Sequence, residues 1–241
     1  MRKKRFIYTL AAVLLMCSAA GVGAGCGKSS PALLDSFGTH LDTLMTSKDK
    51  LSKMDGAAAD LCVIENEDEF SENDIEAPAG ALFNITDQKT LYSKNANDER
   101  EIASITKIMT ALLAMKYADL SQEVTISYTP EGLESSAVLC GFEQGDKMML
   151  SSLLSAALIY SGNDAAIDIA IAVAGSQEAF VDMMNQESKE LMTSHTHFAN
   201  PTGLTQSKHY SSVYDVYLMF QECLKYPTFR DIIARGSFLC Y

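Results

Sequence analysis

Residues 103–110 read Ala-Ser-Ile-Thr-Lys-Ile-Met-Thr, and 57 residues after that serine the chain reads Ser161-Gly162-Asn163-Asp164-Ala165-Ala166. Ser104 and Lys107 stand three positions apart at the start of the apolar stretch Ile105 to Met115, which reads as a buried helix. That spacing places both side chains on one face. A serine hydroxyl becomes a useful nucleophile when a neighbouring base takes its proton. A lysine serves as that base if burial lowers its pKa from ~10.4 towards ~7–8. The positive end of a helix at this point would favour a developing oxyanion. A plainer reading of Ser104 is a helix N-cap, a position that favours serine. The same Ser-x-x-Lys spacing recurs at Ser47 and Lys50, where it carries no meaning.

Ser161-Gly162-Asn163 falls between two apolar stretches, Met148 to Tyr160 and Asp164 to Ala174. A hydroxyl and an amide on such a corner can line a cleft and relay or donate protons. The plainer alternative is a helix-breaking turn. Two stretches of similar form, Ser71-Glu72-Asn73 and Ser93-Lys94-Asn95, lack the position at the end of a buried helix.

Outward from this centre, the pattern is a hairpin followed by a block of helices. Ala79 to Ile85 and Thr90 to Ser93 read as strands joined at Asp87-Gln88. Glu123 to Ser127 is a short extended piece. Further helices are expected over Gln177–Met192, Ser212–Lys225 and Pro227–Ala234, with Gly175 as a C-terminal cap and Ser212 with Asp215 as a capping pair. The expected class is α+β, with more strands needed to cover the helices.

The chain carries a formal net charge of −12, and 47% of its 241 residues are hydrophobic. That fits a globular body and argues against a nucleic-acid partner, because phosphate backbones would repel it. Four of the 19 lysines and arginines form a cluster at Arg2, Lys3, Lys4 and Arg5, ahead of the apolar run Phe6 to Met16 and the small residues Ala19 to Gly25. This is the layout of an export signal over residues 1–25, with an apolar run too short to span a membrane. Cys26 follows Gly23-Ala24-Gly25, similar to a lipoprotein cleavage site where the cysteine becomes a lipidated N-terminus and membrane anchor. Ordinary cleavage after Ala24 is the alternative. Either way the destination is the outer face of the cell membrane or beyond it. Residues 26–76 read as a tether, with one loosely docked helix over Leu33 to Met54 and an acidic run, Glu65 to Glu76, in which seven of twelve residues are Asp or Glu. Cys62, Cys140, Cys223 and Cys240 are spaced too irregularly for a metal site or disulfide scaffold and read as small buried residues. His195, His197 and His209 raise the thought of zinc, but no carboxylate or cysteine completes a ligand set, and no metal is expected.

The stretches 103–110 and 161–166 together resemble the low-molecular-weight penicillin-binding proteins, the serine-type D-alanyl-D-alanine carboxypeptidases. The likeness continues through Tyr92-Ser93-Lys94-Asn95-Ala96-Asn97, Gly145-Asp146-Lys147, Thr196 to Leu204 and His209-Tyr210-Ser211, and covers residues 77–240. The resemblance implies a β-lactamase/transpeptidase-like domain over 77–241, with helices packed on an antiparallel sheet. It implies Ser104 as the nucleophile on a peptidoglycan stem peptide ending in D-Ala-D-Ala, and Lys107 as the base. Ser161 would relay a proton to the departing D-alanine, and Asn163 would orient substrate or Lys107. The Ser104 N–H would supply half of an oxyanion hole. β-Lactams would acylate Ser104, and no cofactor is involved. The family's Lys-Thr-Gly motif does not occur here. The resemblance therefore implies a C-terminally truncated member with an incomplete sheet and impaired activity. A β-lactamase would show Ser-Asp-Asn and a deacylating glutamate, neither of which is identifiable. The other alternative is a non-catalytic envelope lipoprotein that binds peptidoglycan.

Overall fold

A computed structural model describes residues 61–64, 75–127 and 133–235. The proposed signal, Cys26, the Leu33 to Met54 helix, Ser47, Lys50, Ser71-Glu72-Asn73, most of the acidic run and Cys240 lie outside the described residues. Two compact units are present, one ending at Asp98 and one made of the residues from Glu99 onward.

In the first unit, β1 (Gly80–Asn84) and β2 (Lys89–Lys94) pair antiparallel with an irregularity between Leu82 and Phe83. The connection is set by Asn84, whose side-chain oxygen accepts from the N–H groups of Thr86 and Asp87 at 3.1 and 3.0 Å. Ser93-Lys94-Asn95 ends this hairpin. There Lys94 Nζ donates to Ile75 O and Asn95 Nδ2 to Pro78 O, which are structural duties.

The second unit is a helical block around one apolar core. A 3-10 turn (Ala103–Thr106) leads into α1 (Lys107–Tyr117). Strands β3 (Glu123–Thr125) and β4 (Lys147–Met149) pair antiparallel, and α2 (Leu150–Ser155) runs into a π-helical turn (Ala156–Tyr160). Then come α3 (Asn163–Ala174), α4 (Gln177–Glu190), α5 (Val213–Leu224) and α6 (Pro227–Ile233). Helices with two antiparallel pairs make the described chain α+β, as expected. Beyond shifts of one or two residues at element ends, two boundaries differ from the sequence reading. Met148 lies in β4 rather than at a helix start, because its backbone pairs with Val124. Ser104 lies inside the 3-10 turn and caps nothing; the N-cap position belongs to Ile102.

The core explains why the middle of α1, Ala111 to Ala114, is wholly apolar and buried. Met109, Leu112 and Leu113 are fully enclosed, packed with Leu153 and Leu154 of α2, Ile169 of α3, Phe180 of α4 and Met219 of α5. At the far end of α1, Lys116 bonds both carboxylate oxygens of the buried Glu187 on α4, at 2.9 and 2.8 Å. Gly175 ends α3 at φ +83°, and Ser212 caps α5 by accepting from Asp215 N. The carboxylate of Asp215 turns away from that cap and accepts from His195 N and Thr196 Oγ1.

The segment before α5 is stitched to the 3-10 turn. Arg100 and Ser211 exchange backbone hydrogen bonds at 2.8 and 3.0 Å, as do His197 and Tyr210 at 2.9 and 3.0 Å. His209 is buried against the edge of Phe198. Its Nδ1 accepts from Ala199 N at 3.0 Å, so Nε2 carries the proton and donates to Thr106 Oγ1 at 2.7 Å. Burial, with the neighbouring charge of His197, pushes the His209 pKa down to about 4. The folded chain thus holds fewer protons here than the unfolded chain, whose histidine titrates near 6.5. This contribution to stability is complete above pH 6.5 and is lost as pH falls towards 4. Urea midpoints should fall across this window in the wild type and fall less in His209→Gln; equal slopes would contradict the assignment.

Candidate active site

Lys107 opens α1, and only 2% of it is exposed. Its amine donates three hydrogen bonds: to Ser104 Oγ at 3.0 Å, to Asn163 Oδ1 at 2.8 Å and to the carbonyl of Thr202 at 2.8 Å. An ammonium has three protons, so this set uses them all. Burial is the main influence on the amine and lowers its pKa to about 8, while negative charge at the Cys140 sulfur and the Asp164 carboxylate pulls the other way. Ser104 is half-buried, so the hydroxyl lies nearer the surface than the amine behind it.

The 3-10 geometry explains the pairing. Three residues per turn bring side chains at i and i+3 into line, and that is the relation of Ser104 to Lys107. The turn is entered through Ala103 at φ +45°, a left-handed conformation unusual for a residue with a Cβ.

Asn163 arrives from the other side of the core. The π-helical turn after α2 ends at Ser161, whose φ is +63°, and Gly162 N then reaches back to Ala156 O at 3.2 Å. This reversal starts α3 with Asn163 facing Lys107. Gly162 is required by crowding, since a Cβ there would lie 2.3 Å from Cys140 Sγ. Ser161 lies half-buried on the corner, and among the described residues it makes no hydrogen bond to Ser104 or Lys107.

The third partner, Thr202, sits on a turn organised by Asn200. The Asn200 Oδ1 accepts from Thr202 N at 3.1 Å, Thr202 Oγ1 at 2.9 Å and Gly203 N at 2.7 Å. Thr110 of α1 anchors the turn by donating to Pro201 O at 2.7 Å. Gly203 has φ +86°, and a Cβ there would be 1.8 Å from Ala103 O and 2.9 Å from Ser104 N. The turn therefore presses directly on the backbone that carries Ser104.

Of the four residues read from sequence, three are joined by hydrogen bonds, and Ser161 stands two residues before Asn163 on the corner. Sequence reading missed Thr202 as a partner of the amine, along with Asp164 and Cys140. The pattern Asn-Pro-Thr-Gly is a turn signal, which marks the place but not its neighbour. Cys62 and Cys223 are buried, as expected, whereas Cys140 is half-buried beside Gly162. The three histidines do not converge. His197 bonds Lys208 O, His209 serves Thr106 and His195 lies near Glu99. Among the described residues no group of three His, Cys, Asp or Glu side chains is set to hold a metal ion.

Comparison with known proteins agrees with this geometry. A family profile described as D-alanyl-D-alanine carboxypeptidase, peptidase S11, matches residues 66–234. The D-alanyl-D-alanine carboxypeptidase DacF of Bacillus subtilis is 41% identical over 158 residues, which is 64% of this chain and 40% of that protein. DacC of Escherichia coli is 34% identical over 60% of this chain and 38% of its own length. The chain thus spans about two fifths of the curated relatives it matches. Among solved structures, a mutant Streptomyces K15 DD-transpeptidase is 30% identical at a TM-score of 0.62, covering 66% of this chain and 65% of that one. Penicillin binding protein 6B of Escherichia coli is 27% identical at a TM-score of 0.60, covering 66% and 54%. These neighbours carry the transpeptidase-like fold that the resemblance implied. With the profile spanning most of its length and the amine shared between Ser104 and Asn163, the chain belongs to the peptidase S11 family of D-alanyl-D-alanine carboxypeptidases.

Proposed function

We propose that this protein is a serine-type acyl-transfer enzyme that removes the terminal D-alanine from peptidoglycan stem peptides. The carrying observation is the buried amine of Lys107, 3.0 Å from the Ser104 hydroxyl and weakened to a pKa of about 8. On losing one proton, the amine keeps two donors for Asn163 and Thr202 and turns its lone pair to Ser104. About a tenth of the molecules are in that form at pH 7. Lys107 then takes the hydroxyl proton as Ser104 Oγ bonds to the carbonyl carbon of the penultimate D-alanine. The oxyanion is met by the Ser104 N–H, at the start of the helical segment. Collapse expels the terminal D-alanine, to which Ser161 relays a proton, and water hydrolyses the ester to free Ser104.

On this reading residues 1–25 direct export, residues 26–76 are a tether fixed to the membrane by lipid on Cys26, and residues 77–241 carry the reaction outside the cytoplasm. The basic cluster before a short apolar run supports export, and the small residues before Cys26 support lipidation. β-Lactams would acylate the same serine.

A fluorescent penicillin should label the chain covalently, slowly, and only when Ser104 is present. Labelling should rise about tenfold per pH unit up to the Lys107 pKa near 8 and level off above it, because burial destabilises the ammonium and the neutral amine is the active form. Full labelling of Ser104→Ala, or none of the wild type at saturating penicillin, would contradict the proposal; fast turnover of a chromogenic cephalosporin would point to a β-lactamase instead. Gly203→Ala tests the close approach. Its left-handed backbone alone costs ~1–2 kcal/mol with a Cβ, and the displaced nucleophile should label about 100-fold more slowly. A variant labelling at the wild-type rate would show that the Gly203 contact does not hold Ser104 in place.

A further inference from the structure

The mechanism above leaves unused a carboxylate that lies beside it. Asp164 is 4% exposed and accepts three backbone N–H groups, Cys140 at 3.0 Å and Ala165 at 2.9 Å through Oδ1, and Gly141 at 2.9 Å through Oδ2. Its own residue lies in the first turn of α3, where a negative charge suits the helix end. A further bond, from Asn163 N to Val138 O at 2.8 Å, runs between the same two segments. The segment 138–141 and the start of α3 are therefore clasped together, and the clasp sits one residue from the Asn163 side chain that receives Lys107. In ordinary helices an acidic residue at this place needs only the local N–H groups. Here two of the three come from a segment 23 and 24 residues earlier in the chain.

We propose that Asp164 is a positioning residue for the acyl-transfer site, fastening the Cys140–Gly141 backbone to the first turn of α3 so that Asn163 stays on the Lys107 amine. The proposal rests on the reading of Ser104 and Lys107 as the reacting pair. Asp164 has a second effect through its charge, which favours the ammonium form of Lys107 against burial. The charged or titratable groups that act on this amine are Asp164, from α3, and the Cys140 thiol, from the fastened segment; Ser104, Asn163 and Thr202 meet it as neutral groups. Asp164 thus trades two influences. It holds the site in shape, and it restrains how readily Lys107 gives up its proton.

Asparagine in its place removes the charge and turns one acceptor into a donor, which would face a backbone N–H. In the whole chain carrying Asp164→Asn, the Lys107 amine, followed by NMR, should titrate at a lower pH than in the wild type. Alkylation of Cys140 by iodoacetamide, read by mass spectrometry of its peptide, should be faster, and penicillin labelling of Ser104 should drop about tenfold or more. Asp164→Glu, which restores the charge, should bring the Lys107 midpoint back towards the wild-type value. A Lys107 midpoint unmoved in Asp164→Asn, or Cys140 reacting at the wild-type rate, would overturn the proposal. Should the asparagine variant not fold, amide exchange in the wild type decides: Cys140 and Gly141 should be protected far above the exposed Gln144, and equal exchange would overturn the clasp. A wild-type chain that penicillin never labels would sink the enzymatic reading alone, since the amine titration and Cys140 alkylation are read on any folded chain.

Discussion

The buried amine of Lys107 is the constraint around which the helical unit is arranged. A lysine this enclosed is unfavourable unless its protons find acceptors, and each of its three acceptors comes from a different segment. The 3-10 turn supplies Ser104, the start of α3 supplies Asn163, and the turn at Asn200 supplies a carbonyl. A cation whose partners are 3, 56 and 95 residues away in sequence ties the ends of the fold to its middle. The apolar packing of α1 makes the burial; the hydrogen bonds make it tolerable. What remains is an amine less basic than a free lysine, yet oriented.

Two of the six non-glycine residues with positive φ among the described residues flank this site. Ala103 and Ser161 both adopt left-handed backbone without being glycine, one immediately before Ser104 and the other immediately before Gly162. Such conformations persist where the surroundings over-determine them. Around Ala103 the determinants are the Arg100–Ser211 pairing, the Thr106–His209 bond and the close approach of Gly203. Around Ser161 they are the π-helical turn and the bond from Gly162 N to Ala156 O.

Much of this was legible in the sequence, and the gaps have physical causes. The Ser104–Lys107 spacing, the Ser161-Gly162-Asn163 corner, Gly175 as a cap and the Ser212 cap all follow from local chemistry, which a sequence displays directly. The 3-10 character of residues 103–106 was not visible, because the composition of Ala-Ser-Ile-Thr suits an α-helical turn as well. β4 was absorbed into the helix after it, since Met148 and Met149 continue the apolar run and only pairing with Val124 marks them as strand. Thr202 contributes through its carbonyl, a group every residue has, so nothing in its side chain announces the role. Asp164 looked like an ordinary helix-start residue for the same reason: its distant partners are backbone amides.

Gly162 and Cys140 form a matched pair whose interlock reaches into the history of the chain. With Sγ standing 2.3 Å from where a Cβ on Gly162 would be, a side chain at 162 forces the one at 140 to give way. A larger residue at 162 needs room from Cys140 and also from Asp164 Oδ1, 3.0 Å from the same Cβ, and replacing 140 removes one of the groups that act on the Lys107 amine. Substitutions at these two sites should therefore travel together among descendants, and the order in which they arise decides whether the intermediate keeps a weakened amine.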